Sequence, residues 1–118
     1  MAAVEKKSFA KPDETMTPFE KVRVDVATIG GLTFKKLTVE PGWQWTKHVK
    51  PVVGGKSCQA PHVMLVLSGR QIVRMDDGTE TELGPGDIAV IPPGHDPRVV
   101  GNEPNVLIEL TDAVRPTK

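Results

Sequence analysis

The side chains best suited to chemistry in this sequence are its only cysteine and its only three histidines: His48, Cys58, His62 and His95. Imidazole nitrogen and thiolate sulfur are preferred by Zn²⁺, Fe²⁺ and copper, and no carboxylate accompanies them at matching spacing, so Mg²⁺ and Mn²⁺ are disfavoured. Pro61 cannot lie inside a helix and favours an extended backbone before it, which predicts that Cys58 and His62 lie on or at the start of a strand. Residues four apart on a strand share a face. The sequence therefore predicts a thiol and an imidazole presented together.

Each of these residues also has an ordinary structural interpretation. A single buried cysteine usually packs as a small hydrophobe, and a single histidine usually lies at the surface or hydrogen-bonds in the core. If all four bind one zinc ion, the coordination sphere is closed and the site is structural, whereas three ligands and an open position make it catalytic. Because the thiol must ionise to bind, metal affinity is expected to fall at acid pH. A haem iron bound axially by one histidine is a further alternative, although the sequence contains no haem attachment motif.

Many short elements must position these residues. The eleven glycines and eleven prolines are spread along the chain as turns between short segments, which is typical of an all-β domain. Alternating or continuous apolar residues predict strands at 22–26, 32–40, 63–67, 71–75, 79–83, 88–91, 98–100 and 105–110. The strand at 63–67 is expected to be buried on both faces, and a bulge is expected at Lys35 and Lys36. Loops are expected at 50–56 and 92–97, the second as a proline-rich rigid corner.

Length and charge restrict the function further. A chain of 118 residues with 15 basic and 15 acidic side chains fits one domain of zero formal net charge, which argues against nucleic-acid or anionic-membrane partners recruited by bulk charge. The sequence has neither a lipid-length apolar segment nor the apolar core of a signal peptide, and one cysteine allows no intrachain disulfide, so a soluble cytoplasmic protein is expected. Residues 1–17 are polar and are predicted to form an N-terminal arm, mobile or lying across a neighbour. Exchange of such an arm predicts a homodimer.

The spacing of histidines, glycines and prolines resembles two sequence motifs of the cupin superfamily. The first motif, interrupted by an insertion, is matched by Gly42, His48, His62 and Gly69, and the second by Gly86, Pro92 and Gly94. The resemblance covers roughly residues 32–111 and is similar to the small single-domain bacterial cupins. It implies an all-β, double-stranded β-helix: a jelly-roll-like barrel at 18–112 with a pocket between two sheets. The arm at 1–17 would precede this barrel, and a tail at 113–118 would follow it.

The resemblance also implies a metal site, with changed ligands. Cupins usually bind a metal through two histidines and a glutamate of the first motif and one histidine of the second. In this chain His62 stands at the position of the glutamate. Cys58 or Lys50 takes the position of the second histidine, depending on whether the register is set from the last glycine of the motif or from its first histidine. The usual ligand set is therefore not intact.

The second motif lacks its histidine at the usual place, because Pro97 occupies that position. His95 lies two residues earlier, and on an extended chain it shares parity with Pro97, so it is predicted to face the pocket. The alternative is a turn that directs His95 outward. Since all four candidate ligands fall inside the two motif regions, we predict a metal site formed by His48, Cys58, His62 and His95. The expected metal is zinc or iron, with copper next.

These residues and the resemblance together predict a small metal-binding cupin-type protein whose pocket holds a metal ion and has room for a small organic ligand. Two alternatives stay open: a metal-dependent enzyme of dioxygenase, isomerase or lyase type acting on a small molecule, and a metal-free cupin that binds a small molecule. Asp96 is the nearest candidate general base, with the alternative role of a turn residue. Trp43 and Trp45 are expected to share a face, and packing is favoured over ligand stacking for them.

Overall fold

Two antiparallel β-sheets form the body of the protein, which is seen in a computed structural model that describes residues 3–114. The strands are β1 Glu14–Phe19, β2 Val22–Ile29, β3 Leu32–Val39, β4 His62–Ser68, β5 Arg70–Met75, β6 Glu80–Leu83, β7 Ile88–Ile91, β8 His95–Val100 and β9 Asn105–Glu109. Short helices are α1 Trp45–His48, α2 Lys50–Val53 and α3 Thr111–Val114. The larger sheet has the order β1-β2-β3-β9-β4-β7 and the smaller sheet the order β6-β5-β8. The predicted all-β, jelly-roll-like architecture is confirmed.

The core lies between the two sheets, where alternate residues of each strand point inward. One buried cluster contains Met64, Val66, Val73, Leu83, Ala89, Ile91 and Leu107. A second buried cluster contains Val22, Val24, Val26, Val39 and Val99. Each cluster combines strands of both sheets, so the burial of these apolar side chains holds the sheets together.

Glycine turns join successive strands where the sequence predicts them. Gly30 and Gly31 have φ angles of 59° and 76° and connect β2 to β3. Gly69 connects β4 to β5 with a φ angle of 71°. A Cβ atom at Gly69 would lie 2.3 Å from the carbonyl oxygen of Pro104. Glycine is therefore required at this turn both by its backbone angle and by the close approach of the neighbouring chain.

Two predictions about individual strands are wrong. β4 is not buried on both faces: Met64 and Val66 are buried, but Leu67 is 48% exposed. Its outward side chains lie on the outer face of a sandwich, whereas a strand with helices on both sides would bury both faces. Lys35 and Lys36 pair with β2 in an unbroken register, so the expected bulge does not occur there.

The two predicted loops are shorter than expected because regular structure extends into them. β8 begins at His95 and includes Pro97. It is an edge strand of the smaller sheet, where the missing N–H of a proline is tolerated. α2 begins at Lys50, has a proline in its first turn and ends at Val53, just before Gly54, which has a φ angle of 77°. Proline at the start and glycine just past the end are typical of helix boundaries.

Strand β1 lies at the predicted boundary between the N-terminal arm and the barrel. β1 begins at Glu14, so the expected boundary between residues 17 and 18 falls inside this strand. β1 pairs with β2 of the same chain and forms an edge of the larger sheet. Residues 1–2 of the predicted arm and 115–118 of the predicted tail lie outside the described residues. Among residues 3–114, no helix has the length and apolar character needed to cross a membrane.

Candidate metal centre

Three of the four predicted ligands meet in the space between the sheets. The sulfur of Cys58 and one ring nitrogen each of His62 and His95 all lie within 4.8 Å of one another. His62 is the first residue of β4 in the larger sheet, and His95 is the first residue of β8 in the smaller sheet. The cluster is therefore held from both sheets.

Cys58 reaches this cluster by a route that differs from the predicted one. It does not belong to β4 but forms an isolated antiparallel bridge with His95. The backbone N–H of Cys58 donates to the carbonyl oxygen of His95 at 2.8 Å, and the N–H of His95 donates back at 3.2 Å. Cys58 and His62 are therefore not close because they share a face of one strand. The bridge between Cys58 and His95 of the smaller sheet brings the thiol close to His62.

His95 faces the interior and is 1% exposed. Its Nδ1 lies 2.8 Å from the carbonyl oxygen of Pro92, which can only accept a hydrogen bond. Nδ1 therefore carries the proton, and the lone pair is on Nε2 when the ring is neutral. The short turn between β7 and β8 fixes both the ring orientation and the tautomer of this candidate ligand.

His62 is oriented in the same way by a carboxylate. Its Nδ1 donates to Oε2 of Glu109 at 2.8 Å. The other oxygen of Glu109 accepts from the backbone N–H of Val63 at 3.3 Å and from the hydroxyl of Thr111. The rings of His62 and His95 meet edge to face, with centroids 5.1 Å apart. Each candidate histidine ligand therefore has an outer partner on Nδ1, which leaves Nε2 for a metal or for the thiol.

Glu109 is the residue of the site that the sequence reasoning missed. It is the last residue of β9 and shares the inward parity of Asn105 and Leu107, both of which are buried. A strand at 105–110 was predicted, so an acidic residue on its buried face was the available signal. Its partner is distant in sequence, and no local pattern indicates that pairing.

The hydrogen-bonded cluster shifts the acidities of its members. Hydrogen bonds from His62 and then His95 lower the pKa of Cys58 to about 6, although burial opposes this. Burial lowers the pKa of His62, but hydrogen bonds to Cys58 and Glu109, together with their negative charges, outweigh burial and raise it to about 9. Burial raises the pKa of Glu109, but its hydrogen bonds to His62 and Thr111 lower the net value. Without a metal the group is therefore a thiolate, an imidazolium and a carboxylate near neutral pH.

His48, the fourth predicted ligand, lies apart from this cluster. It is the last residue of α1, and its Nδ1 lies 3.1 Å from the backbone nitrogen of Gln44. It lines a separate open groove of about 780 Å³. Asp96, the candidate base, accepts hydrogen bonds from the backbone N–H and the hydroxyl of Thr46 at 3.2 and 2.7 Å. These hydrogen bonds of Asp96 connect α1 to β8.

A cavity of about 230 Å³ adjoins Cys58, His62 and His95. Pro97, at the usual position of the second-motif histidine, also lines it, and Lys50 is not among the described lining residues. Most of the lining is apolar and comprises Pro18, Phe19, Val22, Val24, Leu37, Val39, Trp43, Trp45, Val49, Met64, Ile91, Pro97, Val99 and Leu107. The remaining lining residues outside the cluster are Gln71, Asn105 and Glu109.

The donor set fits a transition metal. One sulfur and two imidazole nitrogens suit zinc, iron or copper better than magnesium or calcium. The carbonyl oxygen of Pro92 and the carboxylate of Glu109 are the outer hydrogen-bond partners that ligating histidines usually have. The haem alternative is not supported by the described residues. The cavity of about 230 Å³ is smaller than the roughly 300–1,000 Å³ of sites for drug-sized molecules.

Comparison with known proteins identifies the fold. No family model matches the sequence, and no curated protein matches it either. A protein of unknown function from Rhizobium leguminosarum bv. viciae 3841 is 22% identical, with 92% of this chain and 94% of that chain covered and a TM-score of 0.58. An RmlC-like cupin from Shewanella frigidimarina is 20% identical, with 90% and 88% covered and a TM-score of 0.58. The polyketide cyclase RemF from Streptomyces resistomycificus is 14% identical, with 91% and 78% covered and a TM-score of 0.65.

The chain has the cupin fold. The resemblance of its two glycine-containing motifs to those of cupins is confirmed at the level of the fold by these solved structures. The cluster of Cys58, His62 and His95 lies on the inner side of the sandwich that this fold forms.

Proposed function

We propose that this protein binds one transition metal ion through Cys58, His62 and His95 and holds a small organic molecule in the adjoining cavity. Zinc or iron is the expected metal, with copper next. The observation that carries the proposal is the convergence of these three donor atoms within 4.8 Å from two different sheets. Three residues of metal-binding type, drawn from separate segments of the chain, rarely meet in this way for packing alone.

The residues around the donors support metal binding. Cys58, with a pKa of about 6, is already ionised at neutral pH, so it needs to lose no proton there. His62 must lose the proton on Nε2 when it binds, while its Nδ1 proton stays on the hydrogen bond to Glu109. His95 keeps its Nδ1 proton on the carbonyl oxygen of Pro92. The metal, when bound, would supply a Lewis-acid position beside the cavity.

A metal-dependent enzyme is the second candidate function. Three protein donors next to a cavity favour an open coordination position over the closed, four-ligand arrangement of structural zinc sites. The polyketide cyclase RemF shares this fold and is an enzyme, which keeps a reaction on an organic molecule as a candidate. Asp96 and Glu109 both accept hydrogen bonds within the fold, so either would have to give up such a bond to act as a general base.

A thiolate ligand also bears on where the protein works. Cys58 must stay reduced to bind metal, and the cytoplasm is a compartment that keeps thiols reduced. This requirement supports the cytoplasmic location expected from the sequence.

Elemental analysis of the protein purified without added metal tests the proposal. We expect about one zinc or iron ion per chain in the unaltered protein, and strong loss of metal in Cys58→Ser and His95→Ala. His48→Ala is the matched control, because it removes a histidine that lies outside the cluster. It should retain the full metal content.

Three outcomes would contradict the proposal. If the protein binds no transition metal even after reconstitution, the metal-free protein that binds a small molecule would be the remaining interpretation. Loss of metal in His48→Ala equal to that in Cys58→Ser would place the site elsewhere. Retention of full metal affinity by His95→Ala, with loss in Cys58→Ser, would show that the metal is not held from both sheets. Circular dichroism should establish that each variant is folded.

A further inference from the structure

We propose that the organic ligand of the cavity is a small, uncharged and mainly apolar ring compound of the monocyclic aromatic class, with one polar group directed to the Cys58, His62 and His95 end. The placement of that polar group rests on the proposed metal-binding function. The apolar and uncharged character rests on the cavity alone.

The cavity lining has little to offer a polar ligand. Among the described lining residues there is no lysine, arginine, serine or threonine. Gln71 and Asn105 supply amides, but most of their polar atoms already have hydrogen-bond partners within the protein. Nε2 of Gln71 donates to Oδ1 of Asn105 at 2.8 Å, and Nδ2 of Asn105 donates to the carbonyl oxygen of Ser68 at 3.0 Å. A sugar or another polyhydroxylated molecule would lose its bonds to water on entry without finding enough partners.

The charges in the cavity disfavour anions. Apart from the two histidines, no basic side chain lines the described cavity, and Glu109 is an acidic lining residue. A carboxylate or phosphate would therefore be desolvated on entry without a lysine or arginine partner.

Size and shape restrict the ligand to about one ring. The cavity of about 230 Å³ is smaller than the roughly 300–1,000 Å³ typical of sites for drug-sized molecules. Trp43, Trp45 and Phe19 all line it and provide flat apolar surfaces against which an aromatic ring can stack. For Trp43 and Trp45 the sequence favours packing over ligand stacking, and their place in the cavity lining supports the stacking alternative.

Fluorescence titration of the unaltered protein with toluene, phenol, benzoate and glucose at neutral pH tests this inference. Trp43 and Trp45 are the only tryptophans of the chain, so their emission reports occupancy of the cavity. We expect saturable changes with toluene and phenol, binding of benzoate weaker than that of phenol by about tenfold or more, and no response to glucose. Metal loading should strengthen the binding of phenol relative to toluene.

A matched pair of substitutions locates the binding. Val24→Phe fills the cavity from β2, whereas Val52→Phe makes the same change at a side chain that is 71% exposed and does not line the cavity. Val24→Phe should abolish the response to toluene and phenol, and Val52→Phe should leave it unchanged. If Val24→Phe does not fold, the four-compound comparison on the unaltered protein still decides.

The two proposals fail in different ways. Benzoate binding within about threefold of phenol, glucose binding, or no binding of toluene and phenol would overturn the inferred ligand class. Saturable binding of toluene and phenol that is equal before and after incubation with zinc and iron, in a protein that retains neither metal, would confirm the apolar cavity. That result would refute the proposed metal function and the inferred placement of the polar group.

Discussion

The carboxylate of Glu109 illustrates how one residue behind a candidate ligand determines what that ligand can do. Its hydrogen bond to Nδ1 of His62 fixes the ring and leaves Nε2 directed to the thiol of Cys58. Its negative charge also balances part of the charge of a bound metal. Glu109 is therefore a positioning residue that would act on the metal through His62.

Two substitutions of Glu109 should weaken metal binding to different degrees. Glu109→Gln keeps an acceptor for His62 but removes the charge, and we expect about tenfold lower affinity. Glu109→Leu removes both, and the loss should approach about 100-fold. Competition with a chromogenic chelator measures both values. Glu82→Gln is the control, because Glu82 is exposed and pairs with Arg70 at the surface. Unchanged affinity in Glu109→Leu would contradict the positioning role.

The reactivity of Cys58 with iodoacetamide should report its lowered pKa in the metal-free protein. The thiolate is the reacting form, so the rate should rise with pH through a midpoint near 6, well below the range of an ordinary cysteine. His62→Gln removes the hydrogen bond that lowers this pKa most, and the midpoint should move to higher pH. A midpoint that is the same in both proteins would show that His62 does not stabilise the thiolate. Bound metal should protect the thiol at every pH.

At the scale of the elements, the turn at Gly69 should be the least tolerant of substitution. In Gly69→Ala the new Cβ meets the carbonyl oxygen of Pro104 at 2.3 Å. Gly78→Ala is the matched control, because Gly78 has a φ angle of 90° but no atom within 4 Å of the added Cβ. Both variants carry the cost of a left-handed alanine, about 1–2 kcal/mol, and only Gly69→Ala adds a steric clash.

Urea denaturation separates these two costs. We expect the free energy of unfolding of Gly69→Ala to fall below that of Gly78→Ala by about 1–3 kcal/mol. Equal losses in the two variants would mean that the chain near Pro104 moves away without cost, and that the backbone angle alone requires glycine at the turn.

Strand positions could be predicted from the sequence because alternation and turn residues are local signals. The hairpin at Gly30 and Gly31 and the inward parity of His95 both follow from such signals. The helices α1 and α2 could not be predicted in this way, since helices of four residues leave no periodic pattern to detect. His48 was misplaced for this reason: the helix that carries it holds its ring away from the cluster.

The site was predicted less completely than the strands because its contacts depend on closure of the two sheets. Residue types and motif positions indicated Cys58, His62 and His95, and the structure brings them together. The bridge between Cys58 and His95 and the hydrogen bond between His62 and Glu109 join segments that are distant in the chain. Periodicity within one segment contains no information about either contact.

At the scale of the whole molecule, the edge strand β7 favours association. Ile88 and Val90 are each 73% exposed on this strand, which contains neither a charge nor a proline to prevent pairing. A two-fold axis allows such a strand to pair with its own copy. The homodimer predicted from the N-terminal arm therefore remains our expectation, and β7 provides a second surface on which it can form.

Sedimentation of the unaltered protein at micromolar concentration should show a dimer. Val90→Lys places a charge on the exposed face of β7 and should shift the protein towards monomer. Val52→Lys makes the same change at a side chain of α2 that is 71% exposed and should leave the dimer intact. A monomeric unaltered protein would refute the prediction. A dimer in both variants would indicate that the N-terminal arm, and not β7, forms the interface.

The attachment of the three donors to different sheets would also determine when the protein can acquire the proposed metal. His62 enters from the larger sheet, whereas Cys58 and His95, which are joined by a backbone bridge, enter from the side of the smaller sheet, so the three donors are adjacent only after the sheets have closed. An unfolded chain has no assembled site, so metal binding would be coupled to closure of the sheets. Release of the ion would in turn depend on local opening of the strand ends that carry these donors, so the lifetime of the loaded state is tied to the opening rate of the sandwich.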